Sequence, residues 1–304
     1  MLIELRPVET EAELEAYVRI WNAITPDEPT SAPLQRDRRA RDPRRLYLLS
    51  WADGAPVASG FAGGSDSPDR THVAIRVLTG ARRQGIGSAA LRRLCDHLTQ
   101  AYGLATVSAK VDGRDDGSLA FARRFGFEEV DREVEQVIEL GGRATGRLPP
   151  GVRLTTVAER PELLREAYAL AVAGYADMAT WMPVTISLDE WLREEATLPE
   201  GSFVALAGDE IVGFSGLCRH SGDPGIAVDG LTVVARAWRR RGLAIALKRS
   251  ELAWAAANGF REVVTWTQRG NEAMRAVNER LGYRYRKVEL TVARALPLDD
   301  TSRA

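Results

Sequence analysis

Short segments in which apolar and polar residues alternate recur along the chain, and each of them predicts a β-strand. Leu2–Arg6 is the first of these segments, and an apolar repeat at helical spacing follows it over Glu11–Trp21. Asp53-Gly54 then separates two alternating runs, a combination that favours a β-hairpin turn. The first half of the chain therefore begins with a strand, a helix and a hairpin.

The same order of predicted elements recurs in the second half. Val152–Thr156 alternates as a strand, Pro161–Tyr175 has helical spacing, and Gly208-Asp209 separates the next two apolar runs. Each half later reaches a glycine corner, Phe125-Gly126-Phe127 or Leu281-Gly282-Tyr283, where a left-handed glycine would end a helix before the last strand. The other predicted strands are Leu46–Trp51, Val57–Phe61, Val73–Val77, Ala105–Val111, Phe203–Leu206, Ile211–Leu217, Leu231–Val234 and Glu262–Thr267.

This repeat predicts an α+β fold that is present twice, each copy being a mixed, mostly antiparallel sheet flanked by helices. A chain of 304 residues is also long for a single hydrophobic core. Glycine and proline cluster over residues 141–151, where the apolar periodicity disappears. We expect the boundary there, with domains at residues 1–145 and 146–304.

A short basic glycine loop lies between a predicted strand and a predicted helix in each half. The loops are Arg82-Arg83-Gln84-Gly85-Ile86-Gly87 and Arg239-Arg240-Arg241-Gly242-Leu243-Ala244. Their small residues let the backbone approach a bulky ligand, and the first amide N–H groups of a helix attract anions. The arginines add positive charge. Both loops are candidate diphosphate sites, and the alternative for either loop alone is a solvated basic turn that starts a helix.

The overall charge is nearly balanced, with a formal net charge of -1. Such a chain has no general attraction to nucleic acid or anionic membranes, so any polyanion site must be local. No apolar run is long enough to span a bilayer, and the first residues lack the pattern of a secretory signal. We expect a cytoplasmic protein without a metal, because Cys95 and Cys218 stand one in each half and no metal-ligand spacing occurs.

Two other nucleotide motifs explain the first loop less well. Gly85-Ile86-Gly87-Ser88-Ala89-Ala90 fits a dinucleotide pattern with alanine in the last position, but that motif opens the first βαβ unit of a parallel sheet. Here a helix and several antiparallel strands precede it, and the second loop breaks the spacing at Ala246. The phosphate-loop motif of nucleotide hydrolases is absent from the sequence.

These features resemble the GNAT acyltransferase superfamily over nearly the whole chain, and their pairing is similar to the tandem GNAT proteins that include mycothiol synthase-type enzymes. The most specific matches are the two loops, the preceding Val77 and Val234, and the two glycine corners. The resemblance implies acetyl-coenzyme A (acetyl-CoA) as cosubstrate. It also implies that the loop amides hold the pyrophosphate and that the strands carrying Val77 and Val234 bind the pantetheine arm.

The resemblance matches more residues in the second half than in the first, so we expect the second half to be catalytic. Asn271 matches the family's asparagine ahead of the last helix, and Met274 lies in the longer matching stretch. Asn278, and Ala122 in the first half, stand where the family often has a tyrosine that protonates the thiolate. The expected coenzyme-binding residues are Thr232, Val233, Val234, Arg239, Arg240, Arg241, Gly242, Leu243, Ala244, Asn271, Met274, Asn278, Val77, Arg82, Arg83, Gln84, Gly85, Ile86, Gly87 and Ser88.

Candidate acid and base groups flank the expected coenzyme strand of the second half. Asp229 is the best-placed carboxylate for a general base, and its alternative role is to cap a turn with Gly230. Tyr283 is the candidate proton donor, with aromatic core packing as its alternative role. Asp177 and Trp181 are candidates for contact with a cationic acceptor.

The resemblance implies transfer of an acetyl or other acyl group to a primary amine of a small molecule, by direct attack in a ternary complex. Because neither half has the family's tyrosine, a non-catalytic coenzyme-binding sensor or scaffold is the alternative. A third hypothesis is an RNA-binding module that uses the basic run Arg36–Arg45, which two aspartates dilute. Nucleic acid and membrane partners are not expected, and the paired domains predict a monomer with an internal pseudo-dimer or a homodimer.

Overall fold

The computed structural model describes residues 2–26, 29–64, 71–103, 105–141, 146–178, 181, 184–220 and 222–298. The chain divides into two compact units. Unit 1 contains the residues up to Val130 and those from Leu290 onward, and unit 2 contains Asp131–Glu289. The units therefore differ from the two sequence halves at the end of each half. The boundary between residues 145 and 146 concerns the sequence repeat and stays a prediction, and residues 142–145 beside it lie outside the described residues.

Strands and helices follow one another in the same order in both halves. The first half contains β1 (Ile3–Pro7), α1 (Glu11–Ile24), α2 (Ala32–Arg41), β2 (Leu46–Ala52), β3 (Ala55–Gly64), β4 (Thr71–Val77), α3 (Ile86–Tyr102), β5 (Thr106–Asp112), α4 (Asp116–Arg124) and β6 (Glu128–Glu139). The second half contains β7 (Val152–Thr156), α5 (Glu162–Ala176), α6 (Leu188–Glu194), β8 (Phe203–Ala207), β9 (Glu210–Arg219), β10 (Ile226–Val234), α7 (Leu243–Ala257), β11 (Glu262–Gln268), α8 (Glu272–Leu281) and β12 (Arg284–Ala295).

Each unit has a mixed sheet. In unit 1 the strands lie in the order β1-β2-β3-β4-β5, and only the pair β4 and β5 is parallel. In unit 2 the order is β7-β8-β9-β10-β11-β6, and only the pair β10 and β11 is parallel. Parallel neighbours need a crossover connection, which α3 and α7 provide. The α+β class, with mixed strand pairing in each unit, is confirmed.

Aromatic residues anchor the helices that precede the hairpin of each half. In unit 1, Tyr17 and Ile20 of α1 pack against Tyr47 of β2. In unit 2, Trp191 of α6 is fully buried, and its Nε1–H donates to the carbonyl oxygen of Leu164 at 2.8 Å. This bond satisfies the one polar atom of a large apolar side chain, so α6 is held firmly on the core of unit 2.

Helix α6 is not among the elements expected from the sequence. It is only seven residues long, and it begins at a capping box in which Ser187 accepts from the Glu190 N–H and Glu190 accepts from the Ser187 N–H. Helix α2 extends to Arg41 and so contains more than half of the basic run Arg36–Arg45. No helix within the described ranges is long and apolar enough to cross a membrane.

Candidate active site

The two glycine loops have the same backbone conformation. In the first loop Arg83 and Gly85 are left-handed, with φ of 64° and 84°, and in the second loop Arg240 and Gly242 are left-handed, with φ of 62° and 82°. Gly85 and Gly242 are the N-caps of α3 and α7, and neither helix start receives a side-chain cap. The first amide N–H groups of both helices are thus without a capping side chain, as expected for an anion site.

The first arginine of each loop has a structural role. Its Nε–H donates to the carbonyl oxygen at the end of the preceding strand, from Arg82 to Val77 at 3.1 Å and from Arg239 to Val234 at 3.0 Å. This bond fixes the loop against the strand end in both units. Arg83, Arg240 and Arg241 are exposed, so they remain accessible to a ligand phosphate.

The remaining predicted residues of the two loops differ in accessibility. Ile86 and Leu243 are buried and anchor their helices, whereas Gly87, Ser88 and Ala244 are half-buried beside the helix starts. Gln84 is exposed and donates through its side-chain amide to the Gly80 carbonyl at 3.2 Å.

Strand β10 separates from its parallel neighbour where the coenzyme strand was expected. It pairs with β11 only from Ile226 to Asp229, although both strands continue. A β-bulge between Asp229 and Thr232 interrupts its pairing with β9 at the same place. Backbone groups of Leu231–Val234 on the β11 side are therefore not used by β11 and can serve an extended ligand. The corresponding strand of unit 1, β4, pairs with β3 without a register shift.

Residues expected to bind the coenzyme on β10 contribute mainly through the backbone. Val233 and Val234 are buried in the core, and both pair with β9. The hydroxyl of Thr232 lies 2.8 Å from that of Ser215 and 3.4 Å from a carboxylate oxygen of Asp229. The Thr232 side chain is thus turned towards buried protein groups.

The residues expected on α8 differ in their surroundings. Asn271 is the N-cap of α8 and Met274 is half-buried in its first turn. Asn278 is fully buried, and its side-chain amide donates to Gln136 at 2.9 Å and to Thr267 at 3.4 Å. Asn278 Oδ1 and Gln136 Nε2 are buried without a hydrogen-bond partner. A ligand amide or hydroxyl would satisfy them, and the pantetheine arm of coenzyme A carries such groups.

A buried ionic cluster lies under β10 on the side of α7. The carboxylate of Asp229 forms a salt bridge with Lys248 and accepts from the Tyr283 hydroxyl at 3.0 Å. Asp229, Lys248 and Glu251 are at most 2% exposed. Desolvation raises the pKa of Glu251 well above its usual value, and the charge of Asp229 adds to this effect. Burial thus favours the neutral form of Glu251, while Lys248 is paired with Asp229.

Unit 1 has apolar residues at the equivalent places. Lys248 and Glu251 stand six and nine residues after the capping Gly242, and the corresponding residues after Gly85 are Leu91 and Leu94, which are both buried. The same fold therefore does not need the ionic cluster. Buried charges contribute little net stability compared with apolar packing, so a functional reason for the cluster in unit 2 is favoured.

Asp229 and Tyr283 are brought together, but neither is open to solvent. Asp229 is 2% and Tyr283 is 4% exposed. The carboxylate is already paired with Lys248, and the phenol hydroxyl already donates to it. Their roles as base and acid stay predictions, and the core role of Tyr283 agrees with its packing against Leu281 and Val277.

Asp177 faces the second loop rather than open solvent. It forms salt bridges with Arg236 and Arg239, the latter at 2.6 Å. Hydrogen bonds from these two arginines lower the pKa of Asp177 to about 2. Two guanidinium groups already pair with the carboxylate, and its ionic contact with a cationic acceptor stays a prediction. Trp181 is partly exposed.

A further carboxylate of unit 2, Glu195, was not among the candidates from the sequence. It directly follows α6, and its Oε1 accepts from the backbone N–H of Leu231, inside the β10 bulge, at 3.3 Å. Burial, opposed by the Leu231 hydrogen bond and assisted by the nearby charge of Asp229, raises the pKa of Glu195 to about 7. Gly216 and Gly230 in the adjoining strands were the available sequence signal, because glycine inside a strand often marks a close approach.

Both halves of the chain match the same family of known proteins. A family model described as "Acetyltransferase (GNAT) family" matches residues 10–127 and 164–283. A curated mycothiol acetyltransferase from Geodermatophilus obscurus is 29% identical over 262 residues, which cover 83% of this chain and 82% of that protein.

Two solved structures share the fold over almost their whole length. A GCN5-related N-acetyltransferase from Sphaerobacter thermophilus has a TM-score of 0.78 at 21% identity, covering 99% of this chain and 98% of that one. A tandem GNAT protein from the clavulanic acid biosynthesis pathway, solved without AcCoA, has a TM-score of 0.74 at 20% identity, covering 98% and 100%. These neighbours confirm the tandem architecture expected from the repeated loops.

Proposed function

Because the chain belongs to the acetyltransferase (GNAT) family, with one match in each half, we propose that unit 2 transfers an acetyl group from acetyl-CoA to a primary amine of a small molecule. Family membership makes the chain an N-acetyltransferase. The cosubstrate, the acceptor class and the catalytic unit are the proposal. The curated relative carries the name of an acetyltransferase, which agrees with this chemistry.

The observation that carries the proposal is the opening of β10 next to the second loop. The strand leaves β11 after Asp229 and ends at Val234, five residues before Arg239. A thioester with an extended amide-containing arm and a diphosphate would find backbone groups along the strand and helix amides at the end of it. Such positioning of two reactants contributes on the order of 7–11 kcal/mol to catalysis in well-oriented systems.

Unit 2 is favoured as the catalytic unit by features that unit 1 lacks. These are the β-bulge in β10, the buried cluster of Asp229 and Lys248, and the half-buried carboxylate of Glu195. Unit 1 has the loop with Gly85 but apolar residues where the cluster would be. We infer that unit 1 binds the coenzyme without turnover.

Two matched glycine variants test the assignment of the units. Gly85 and Gly242 have nearly equal φ, and a Cβ at either position meets nothing within 4 Å. Glutamate at either position therefore introduces the same strain and the same negative charge at a site for an anion. Like charges in such a site cost on the order of 3 kcal/mol, which is about a 100-fold loss.

We expect Gly242→Glu to lower turnover of acetyl-CoA with a panel of amines by about 100-fold and Gly85→Glu to change it less than about threefold. Release of the free thiol measures turnover. Loss of turnover in Gly85→Glu alone would contradict the assignment to unit 2. Saturable binding of acetyl-CoA by the wild type without turnover of any amine would favour the coenzyme sensor.

A further inference from the structure

The carboxylate of Glu195 occupies a notch that exists only because two strand residues lack side chains. A Cβ built on Gly216 of β9 would overlap Oε1 of Glu195, and a Cβ built on Gly230 of β10 would lie 2.7 Å from the same atom. Both distances are shorter than real Cβ contacts allow. The sheet therefore accommodates this carboxylate at the position of the β10 bulge.

The bulge also supplies the hydrogen bond that orients the carboxylate. Pairing between β10 and β9 skips from Asp229 to Thr232, so Gly230 and Leu231 form the bulge. The Leu231 N–H donates to Glu195 at 3.3 Å. A backbone donor holds one carboxylate oxygen, and the second oxygen remains available to a ligand.

The surroundings of Glu195 are acidic and contain no ion-pair partner for it within the described part of the chain. Asp229 of β10 and Glu251 of α7 are the carboxyl groups that interact electrostatically with Glu195. Lys248 forms its salt bridge with Asp229. Tyr175 of α5 and Cys218 of β9 are the other titratable groups beside it, and burial raises the pKa of Cys218 to about 11. A cationic ligand is the natural partner for such a carboxylate.

We propose that Glu195 binds the ammonium group of the acceptor at the β10 bulge and then accepts a proton from it. This inference rests on the proposed acetyl transfer in unit 2. Asn278 stands in the place of the family's tyrosine, and Asp229 is buried in an ion pair. The proposal therefore gives the role of the base to Glu195. The site takes a primary amine as its cation and presents it to the open part of β10.

One ammonium proton passes to the Glu195 carboxylate, and the neutral nitrogen forms a C–N bond with the thioester carbonyl carbon. The C–S bond breaks and its electron pair leaves with the coenzyme thiolate. The nitrogen of the new amide loses its second proton to solvent, and solvent returns one proton to the thiolate. Glu195 returns its proton to water. A base with a pKa near the working pH is the effective one for this transfer, and the raised pKa of Glu195 meets that condition.

The acidic surroundings also restrict the acceptor. A carboxylate beside the reacting amine would face the carboxylate of Glu195, while Lys248 is buried and already paired with Asp229. We therefore expect amines such as polyamines or amino sugars to be accepted and α-amino acids to be rejected. Putrescine and ornithine form a matched pair of probes, since ornithine is putrescine with one added carboxylate. Putrescine should have a kcat/KM at least about 10-fold higher, and equal or reversed values would contradict the acidic subsite.

The test compares Glu195→Gln with Glu194→Gln, a neighbouring exposed carboxylate that pairs with Arg193. For Glu195→Gln, we expect kcat/KM for the amine to fall by about 100-fold or more near neutral pH, and the inflection near the pKa of Glu195 to disappear from its pH profile. Glu194→Gln should keep the wild-type profile. Calorimetric binding of coenzyme A should be unchanged in both variants.

The outcomes separate the two proposals. If the wild type turns over amines and Glu195→Gln stays within about threefold of it with the same pH profile, the role of Glu195 is wrong and acetyl transfer stands. If the wild type binds coenzyme A but turns over no amine, the proposed function is wrong. A carboxyl NMR titration of the wild type needs no variant. Binding of putrescine together with coenzyme A should lower the pH midpoint of the Glu195 titration, and an unchanged midpoint would overturn the proposed ammonium binding.

Discussion

Asp229 and Lys248 form a buried ion pair whose desolvation opposes folding. The ion pair is 2% exposed or less on both sides, so neither charge is solvated. Its attraction offsets the desolvation only while both partners are present. Unit 1 replaces the cation with Leu91, which shows that the helix packs equally well with an apolar residue.

Lys248→Leu should therefore destabilise the protein strongly. It leaves the Asp229 charge buried with only hydrogen bonds, and such an uncompensated charge costs about 3–5 kcal/mol. Urea unfolding measures the loss. The double variant Asp229→Asn/Lys248→Leu should recover more than half of it, because asparagine is neutral and still accepts from Tyr283. Equal losses in the single and double variants would mean that packing around Lys248, rather than charge, sets the cost.

The raised pKa of Glu195 predicts a pH-dependent stability with a definite sign. Below its usual pKa of 4.5 the group is protonated in both the folded and unfolded states. Between 4.5 and about 7 the unfolded chain loses the proton first, so the folded state loses relative stability as the pH rises. Glu195→Gln removes this penalty.

We expect Glu195→Gln to unfold at the same temperature as the wild type near pH 4 and to be more stable by about 2 kcal/mol near pH 8, a value discounted for partial exposure of the group. Thermal unfolding at both pH values measures this difference. The Glu194→Gln control should follow the wild type at both. A constant difference across the pH range would show that Glu195 does not titrate in this window.

Gly216 of β9 and Gly230 of β10 leave the space that the Glu195 carboxylate occupies. Gly216→Ala should cost about 1–3 kcal/mol, because the added methyl group collides with the carboxylate. In Gly216→Ala/Glu195→Ala the collision with the carboxylate is absent and the 3.1 Å approach to Phe214 Cε1 remains, so the double variant should be more stable than the Gly216→Ala single variant. A double-mutant cycle by urea unfolding gives the coupling. Additive effects would mean that the notch relaxes without involving Glu195.

The order of the elements was predictable from the sequence, and the buried polar groups were not. Alternating residues and the Asp53-Gly54 turn predicted the hairpin, and the glycines predicted the left-handed positions of the loops, because both depend on local sequence. The sequence does not mark Lys248 and Glu251 as buried, since helical periodicity does not distinguish a solvated charge from a buried one. Helix α6 is too short for a periodic signal, although Ser187 and Glu190 form its capping box.

At the scale of the whole molecule, the basic run Arg36–Arg45 is occupied by contacts within the protein. Arg36 pairs with Glu11, Arg44 pairs with Asp42, and Arg39 donates to the Val8 carbonyl while its guanidinium lies 4.9 Å from the ring centroid of Tyr47. These contacts reduce the positive charge presented to a polyanion. The stronger arguments for an anionic ligand are the two loops, which recur with one geometry in units that otherwise differ.

Because the two loops share left-handed residues, free helix starts and the arginine bond to the strand end, we predict that the chain binds two equivalents of coenzyme A. Isothermal titration calorimetry should give two sites for the wild type, one site for Gly85→Glu or Gly242→Glu, and none for the double variant. Each occupied site stabilises its unit by about 2.7 kcal/mol at 100 times the dissociation constant, so thermal shifts should follow the same order. Strand β10 has a bulge beside its opening, whereas β4 pairs with β3 without a register shift, which gives the site of unit 2 the better fit for the pantetheine arm, so the Gly85→Glu variant should retain the tighter site. One site in the wild type that survives Gly242→Glu would contradict both the equivalence of the loops and the choice of unit 2.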